Sequence, residues 1–196
     1  MEKTCQTLML SGLALLVLFS SAQAAEPQLP TAQPAAAQPQ MRQEGTILTV
    51  EGILVSPLSR QATWALLTDY ARFPEFVPGI HSNRVLEQRN THKLIDQRGM
   101  ITSSQFQMPY QGVVQVEERK RNGEPEGIKI VFLSGILKDV QGEWNIQSGK
   151  QLGLTYRLRM DMSKMPFPSP MAAAIAEQQV KTWIDAFSRE LKRIKE

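Results

Sequence analysis

The segment from Ser56 to Leu86, SPLSRQATWALLTDYARFPEFVPGIHSNRVL, predicts a helix, a tight turn and the start of a strand. Ser59 can cap a helix that runs to about Tyr70, because its hydroxyl can accept from the first free amides. Pro74 suits the start of a single helical turn. After Gly79 the apolar residues recur with a period of two, which is typical of a strand.

On both sides of this segment the sequence predicts antiparallel strands joined by short turns. From Leu152 to Met162 the apolar residues occupy even positions, and polar residues such as Arg157 and Arg159 occupy odd ones. One face of the sheet is therefore expected to be apolar and the other wet. The seven predicted strands are Thr46–Val55, Ile80–Arg89, Lys93–Ile101, Ser104–Glu118, Ile128–Leu137, Val140–Gln147 and Leu152–Met162.

The chain is predicted to close with one long helix. Ser169 and Pro170 form a strong helix start, and the residues up to Lys195 give a rod of about 39 Å. Steps of three and four place Val180, Trp183, Ile184, Phe187, Leu191 and Ile194 on one apolar stripe. Small residues between Met171 and Ala176 either let this helix approach the sheet closely or leave space beneath it.

The motifs Trp64, Leu67–Tyr70 and Phe73–Pro78 closely resemble the opening of the START-like polyketide cyclase and lipid-transport family, of the SRPBCC superfamily. This group includes the coenzyme Q-binding START proteins, and the resemblance covers nearly all of Thr46–Ile194. It implies an α+β helix-grip fold, in which a seven-stranded curved antiparallel sheet wraps around the long C-terminal helix and encloses an elongated apolar cavity. Members bind lipids, quinones, sterols or polyketides, and only some catalyse a reaction.

Large apolar side chains on the presumed inner surface are the candidates for the cavity wall. Aromatic residues with polar tips can orient a ligand, and methionine packs adaptably around irregular apolar shapes. The same residues could equally be ordinary core side chains. The candidates are Phe106, Met108, Tyr110, Phe132, Trp144, Tyr156, Met160, Met171 and Ile175.

The first residues predict an export signal. Lys3 precedes the uncharged run Leu8–Phe19, and Ala22-Gln23-Ala24 offers a cleavage site before Ala25. This run would span only about 18 Å as a helix, against roughly 30 Å of hydrocarbon, although an uncleaved anchor is the alternative. We therefore expect a signal peptide at 1–24, an Ala/Pro/Gln-rich linker at 25–43 and one START-like domain at 44–196. The protein would be exported, to the periplasm in a Gram-negative host, with no stable membrane span after cleavage.

The composition excludes several classes of site. A net charge of +3 is too small to argue for a nucleic-acid partner. With one cysteine, Cys5, and two histidines, His81 and His92, neither a disulfide framework nor a multi-histidine metal centre can form. No residue has the sequence context of a catalytic nucleophile, and we expect no cofactor.

Three functions remain open from the sequence. The first is a non-enzymatic carrier or sensor of a hydrophobic small molecule, such as a lipid, quinone or polyketide-like compound. The second is a cyclase or dehydratase, for which Tyr110, Tyr156, Arg157 and Asp185 are the nameable acids or bases. The third is a filled, ligand-free domain used for protein contacts.

Overall fold

The computed structural model describes residues 38–103 and 106–195. The predicted signal peptide and most of the predicted linker lie outside the described residues. The strands are β1 Gln40–Glu44, β2 Ile47–Ser56, β3 Ile80–Arg89, β4 His92–Thr102, β5 Gln107–Arg121, β6 Glu124–Phe132, β7 Gln141–Gln147 and β8 Leu152–Asp161. The helices are α1 Arg60–Thr68, α2 Phe73–Phe76 and α3 Ser169–Lys195, with 3-10 turns at Tyr70–Arg72 and Met162–Lys164.

All described strands form one antiparallel sheet in the order β1-β2-β8-β7-β6-β5-β4-β3. The helix-grip architecture is confirmed, but the predicted number of seven strands is wrong, because β1 adds an eighth. This strand falls where the sequence predicted the end of the linker. All five of its residues are exposed, so it carries no alternation of apolar and polar side chains.

Several boundaries differ from the prediction, among them the ends of β6 and α1. β6 ends at Phe132 instead of Leu137, because the chain turns where Gly135 and Asp139 adopt positive φ angles of 80° and 69°. α1 ends at Thr68, two residues before the predicted end, and Asp69 forms its C-terminal cap. The predicted capping of α1 is confirmed, since the Ser59 side chain accepts from the amide of Ala62.

The helix α3 lies against the inner face of the sheet and packs mainly on β2 and β8. Its apolar stripe is buried from Val180 to Leu191. Gly52 on β2 permits this close approach, because a Cβ atom there would lie 2.8 Å from Cγ1 of Ile184. The outer face is polar as predicted, and Arg157 pairs there with Glu51 at 2.7 Å and with Glu143 at 3.5 Å.

Candidate functional site

A cavity remains between the inner face of the sheet and the N-terminal half of α3. Its volume is about 80 Å³, so side chains do not fill the space between the helix and the sheet completely. Ile175 and Ala176 of α3 form part of its wall. The small residues at this end of the helix therefore leave space beneath them. The aromatic residues further along α3 fill the space between the helix and the sheet.

Five of the nine candidate residues line this cavity, and they come from strands β5, β6 and β8 and from helix α3. They bring two phenol groups, one further aromatic ring and two flexible or branched apolar side chains to the same space. They are Tyr110, Phe132, Tyr156, Met160 and Ile175.

The other four candidates lie outside the lining. Trp144 faces inward, but its ring is covered by Phe187 of α3, with ring centroids 4.9 Å apart. Phe106 stacks on Phe167 with centroids 5.5 Å apart. The remaining two, Met108 and Met171, are half-buried.

The cavity wall also contains residues that the sequence did not single out. Gln97 is only 6% exposed and follows the same alternation on β4 as the apolar Ile95 and Ile101. That alternation could have identified it. Asn83 and Gln179 also lie in the wall. Their position follows from the packing between elements, which sequence periodicity does not report. Further residues of the wall include Tyr70, Phe73 and Trp183.

A directional chain of hydrogen bonds runs along one wall. The Tyr110 hydroxyl donates to Oε1 of Gln97 at 3.2 Å. Nε2 of Gln97 donates to Oδ1 of Asn83 at 3.0 Å, and Nδ2 of Asn83 donates to the backbone carbonyl of Tyr70 at 2.9 Å. These polar groups are therefore held in fixed orientations within an otherwise apolar wall.

Tyr156 provides a second hydroxyl. Its ring stacks on Trp183 with centroids 5.4 Å apart and an interplanar angle of 10°. The hydroxyl lies above Gly142, where a Cβ atom would be 3.1 Å from the phenol oxygen. Burial raises the pKa of Tyr156 well above its usual value of 10, and the nearby Tyr110 phenol adds to that effect. Burial likewise raises the pKa of Tyr110, so both phenols are neutral at physiological pH.

The other two candidates for catalysis do not reach the cavity. Arg157 lies exposed on the outer face, and Asp185 pairs with Lys181 at 2.8 Å on the surface of α3. The structure instead shows that the Tyr70 hydroxyl donates to Glu118 at 3.1 Å, and that Glu118 also pairs with Lys93. The pKa of Tyr70 is raised by burial and by Glu118. Tyr70 lines the cavity, but neither of its charged neighbours does.

Residues 38–103 and 106–195 contain neither a metal-binding group of side chains nor an apolar helix of bilayer length. Within those residues, no three His, Cys, Asp or Glu side chains are grouped so as to hold a metal ion. None of the helices in the same part of the chain combines the length and apolar character needed to cross a bilayer. His81 and His92 are both exposed.

The model of one protein family, polyketide cyclase / dehydrase and lipid transport, matches residues 56–188. The chain belongs to this START-like family. Its members bind hydrophobic ligands, in agreement with the apolar wall of the cavity. The comparison with curated protein sequences returns no match.

Solved structures of START-like proteins show the same fold. The Zhui aromatase/cyclase from Streptomyces sp. R1128 is 16% identical, with 76% of this chain and 96% of that chain covered and a TM-score of 0.61. A STAR-related lipid transfer protein from Xanthomonas axonopodis is 12% identical over 80% of this chain and 99% of that one, with a TM-score of 0.59. Human StAR-related lipid transfer protein 5 is 8% identical over 82% and 89%, with a TM-score of 0.63.

Proposed function

We propose that this protein binds and carries an apolar small molecule without converting it. The observation that supports this function is the cavity beneath α3, whose wall is mostly aliphatic and aromatic. Burying apolar ligand surface contributes about 25 cal/mol per Å² before the costs of ordering. An open cavity favours a ligand-binding function over the filled domain that the sequence left possible.

The size of the cavity restricts the ligand. A volume of about 80 Å³ favours a small ring compound or a short chain over a larger ligand. A long acyl chain or an isoprenoid tail requires α3 to move away from the sheet. We therefore propose a small apolar molecule as the ligand of the closed form.

Native mass spectrometry of the full chain with a panel of small lipids, quinones and aromatic compounds tests this function. Ile175→Trp places a large ring in the cavity and is expected to abolish the bound species. Ala174→Trp is the matched control, because Ala174 is the adjacent residue of α3 and is exposed. The proposal is supported if wild type and Ala174→Trp retain a bound species and Ile175→Trp does not. The absence of any bound species from all three proteins contradicts it.

We also propose that the protein is exported and acts in the cell envelope. This part of the proposal is supported by the sequence of residues 1–24, with Lys3, the apolar run Leu8–Phe19 and the site before Ala25. Cell fractionation followed by mass spectrometry of the mature N-terminus tests it. A mature chain that begins at Ala25 outside the cytoplasm is expected. A cytoplasmic chain that keeps residues 1–24 contradicts export.

An enzymatic function is the second candidate, and the phenols of Tyr110 and Tyr156 in the cavity favour it. Their raised pKa values make them weak acids, which suits donation of a hydrogen bond better than proton transfer near pH 7. Turnover of a cyclisable polyketide-like compound by wild type, lost in Tyr156→Phe, would establish an enzyme. Recovery of the compound unchanged supports the carrier.

A further inference from the structure

The cavity wall has polar groups but carries no formal charge. None of the described residues that line it is Asp, Glu, Lys, Arg or His. A carboxylate or ammonium group placed there would lose its hydration without gaining a charged partner, which is strongly unfavourable. The part of the ligand that enters the cavity must therefore be neutral.

The hydrogen-bond chain fixes which role the Tyr110 hydroxyl can play. The backbone carbonyl of Tyr70 can only accept, so Asn83 must direct its NH₂ group towards it. Asn83 then accepts from Gln97, and Gln97 accepts from Tyr110. The Tyr110 hydrogen is thereby committed to Gln97. What Tyr110 offers to a ligand is the remaining acceptor capacity of its oxygen.

The Tyr156 hydroxyl has the complementary role. This side chain is 4% exposed, and its hydroxyl makes no hydrogen bond with any residue in 38–103 or 106–195. A hydroxyl that faces a cavity and has no protein partner can be satisfied by a ligand or a water molecule in that cavity. Since stacking on Trp183 holds the ring in place, its hydrogen is free to be donated to a ligand atom in the cavity.

We infer that the ligand is an uncharged apolar molecule with a hydroxyl group, which donates to Tyr110 and accepts from Tyr156. A hydroxyl satisfies both partners at once, whereas a ketone or quinone carbonyl accepts only and leaves the Tyr110 oxygen unused. A hydrocarbon satisfies neither. This inference rests on the proposed function and specifies the class of ligand for the same cavity.

Three probes that share one ring test the inference on the full chain by isothermal titration calorimetry. They are 4-methylphenol, 1,4-dimethylbenzene and 4-methylbenzoate, which differ in a single substituent. In Tyr156→Phe we expect 4-methylphenol to bind about two- to tenfold more weakly than in wild type. The affinity for 1,4-dimethylbenzene is expected to stay the same, and 4-methylbenzoate should show no binding to either protein.

Thr155→Val is the matched control, because it deletes the hydroxyl of the residue next to Tyr156 on β8, which accepts from Gln147 at 3.4 Å and does not line the cavity. It is expected to leave the ratio of the 4-methylphenol and 1,4-dimethylbenzene affinities as in wild type. A second variant, Tyr110→Phe, should lower the same ratio as Tyr156→Phe does, which keeps the test valid if one variant fails to fold.

The outcomes separate this inference from the proposed function. One outcome is that 1,4-dimethylbenzene binds but the ratio of the 4-methylphenol and 1,4-dimethylbenzene affinities is the same in wild type, Tyr156→Phe and Tyr110→Phe. The inferred preference for a hydroxyl is then wrong, while the proposed binding of an apolar molecule is supported. If 4-methylbenzoate binds as tightly as 4-methylphenol, the inference that the ligand is uncharged is overturned. If none of the three probes binds wild type, the inference fails, and the broader panel of native mass spectrometry decides the proposed function.

Discussion

Trp64 is a large side chain on the buried side of α1, and only 9% of its surface is exposed. Its replacement by alanine removes buried apolar volume that the surrounding backbone cannot fully close. We expect Trp64→Ala to lower the free energy of unfolding by about 3–5 kcal/mol. Urea denaturation followed by circular dichroism measures this change.

Leu86→Ala is the control for this substitution, because Leu86 is 48% exposed on β3. It is expected to change stability by less than about 1 kcal/mol. A loss below about 1 kcal/mol in Trp64→Ala as well would show that α1 is packed less tightly than the structure indicates.

Among the strand residues of the cavity, those that were predicted are the ones whose facing is decided by alternation. Tyr110 and Tyr156 were identified in this way. Trp144 faces inward on the same grounds, yet the structure removes it from the cavity because Phe187 of α3 covers its ring. The sequence does not state which inward side chains the helix will cover. Gln97 was missed although its alternation with Ile95 was readable, because only aromatic and apolar side chains were considered for the cavity wall.

At the scale of elements, the contact between α3 and β2 depends on Gly52. A Cβ atom at this position would lie 2.8 Å from Ile184 and 3.1 Å from Val180. We expect Gly52→Val to push the helix away from the sheet and to lower stability by about 1–3 kcal/mol. The shift of the thermal unfolding midpoint measures this effect.

Gly149→Ala is the matched control in a surface turn, where the nearest atom to a Cβ would be at an ordinary 3.4 Å. It is expected to leave the unfolding midpoint almost unchanged. Equal midpoints for both glycine variants would mean that α3 does not press on β2 at Gly52.

Near its C-terminus α3 is joined to the first 3-10 turn by Glu190. This side chain accepts from Arg193 at 2.6 Å and from Arg72 at 2.8 Å. The hydrogen bond from Arg193, followed by that from Arg72, lowers the pKa of Glu190 below its usual 4.5. A lowered pKa in the folded state stabilises the protein above the unfolded-state pKa, and this stabilisation is lost as the pH falls through the folded-state pKa.

We therefore expect Glu190→Gln to be less stable than wild type at pH 7, with the difference shrinking as the pH falls below about 4. Urea midpoints at pH 7 and pH 3 measure it. Glu177→Gln is the control on the same helix, because Glu177 has no ion pair within the described residues. A stability difference for Glu190→Gln that is equally large at pH 3 would show that its charge is not what matters.

Most elements followed from sequence because they carry a clear period of two or of three to four residues. The exceptions lack such a signal. β1 has no buried face, so its pairing with β2 depends on the free edge of that strand and not on its own pattern. The residues after Phe132 are apolar enough to extend β6, but the turn at Gly135 ends it.

At the scale of the whole molecule, a neutral cavity predicts binding that does not depend on pH. The lining tyrosines have pKa values raised above 10, and none of the described lining residues titrates between pH 5 and 8. We expect the dissociation constant of 4-methylphenol to change less than about twofold over that range. Calorimetry at pH 5, 6.5 and 8 checks this, and a tenfold change would place a titrating group at the ligand.

For the carrier function that we propose, the uncharged wall also restricts how the bound ligand is released. Neither acidification nor a change in salt alters the charge of the wall. We therefore expect the protein to have the same affinity for its ligand in compartments of different acidity. Net transport then follows the concentration gradient of the free molecule between donor and acceptor. A carrier of this kind equalises the free concentrations of the ligand in the donor and acceptor compartments. Any directional flow then depends on a process that consumes the ligand in the acceptor compartment.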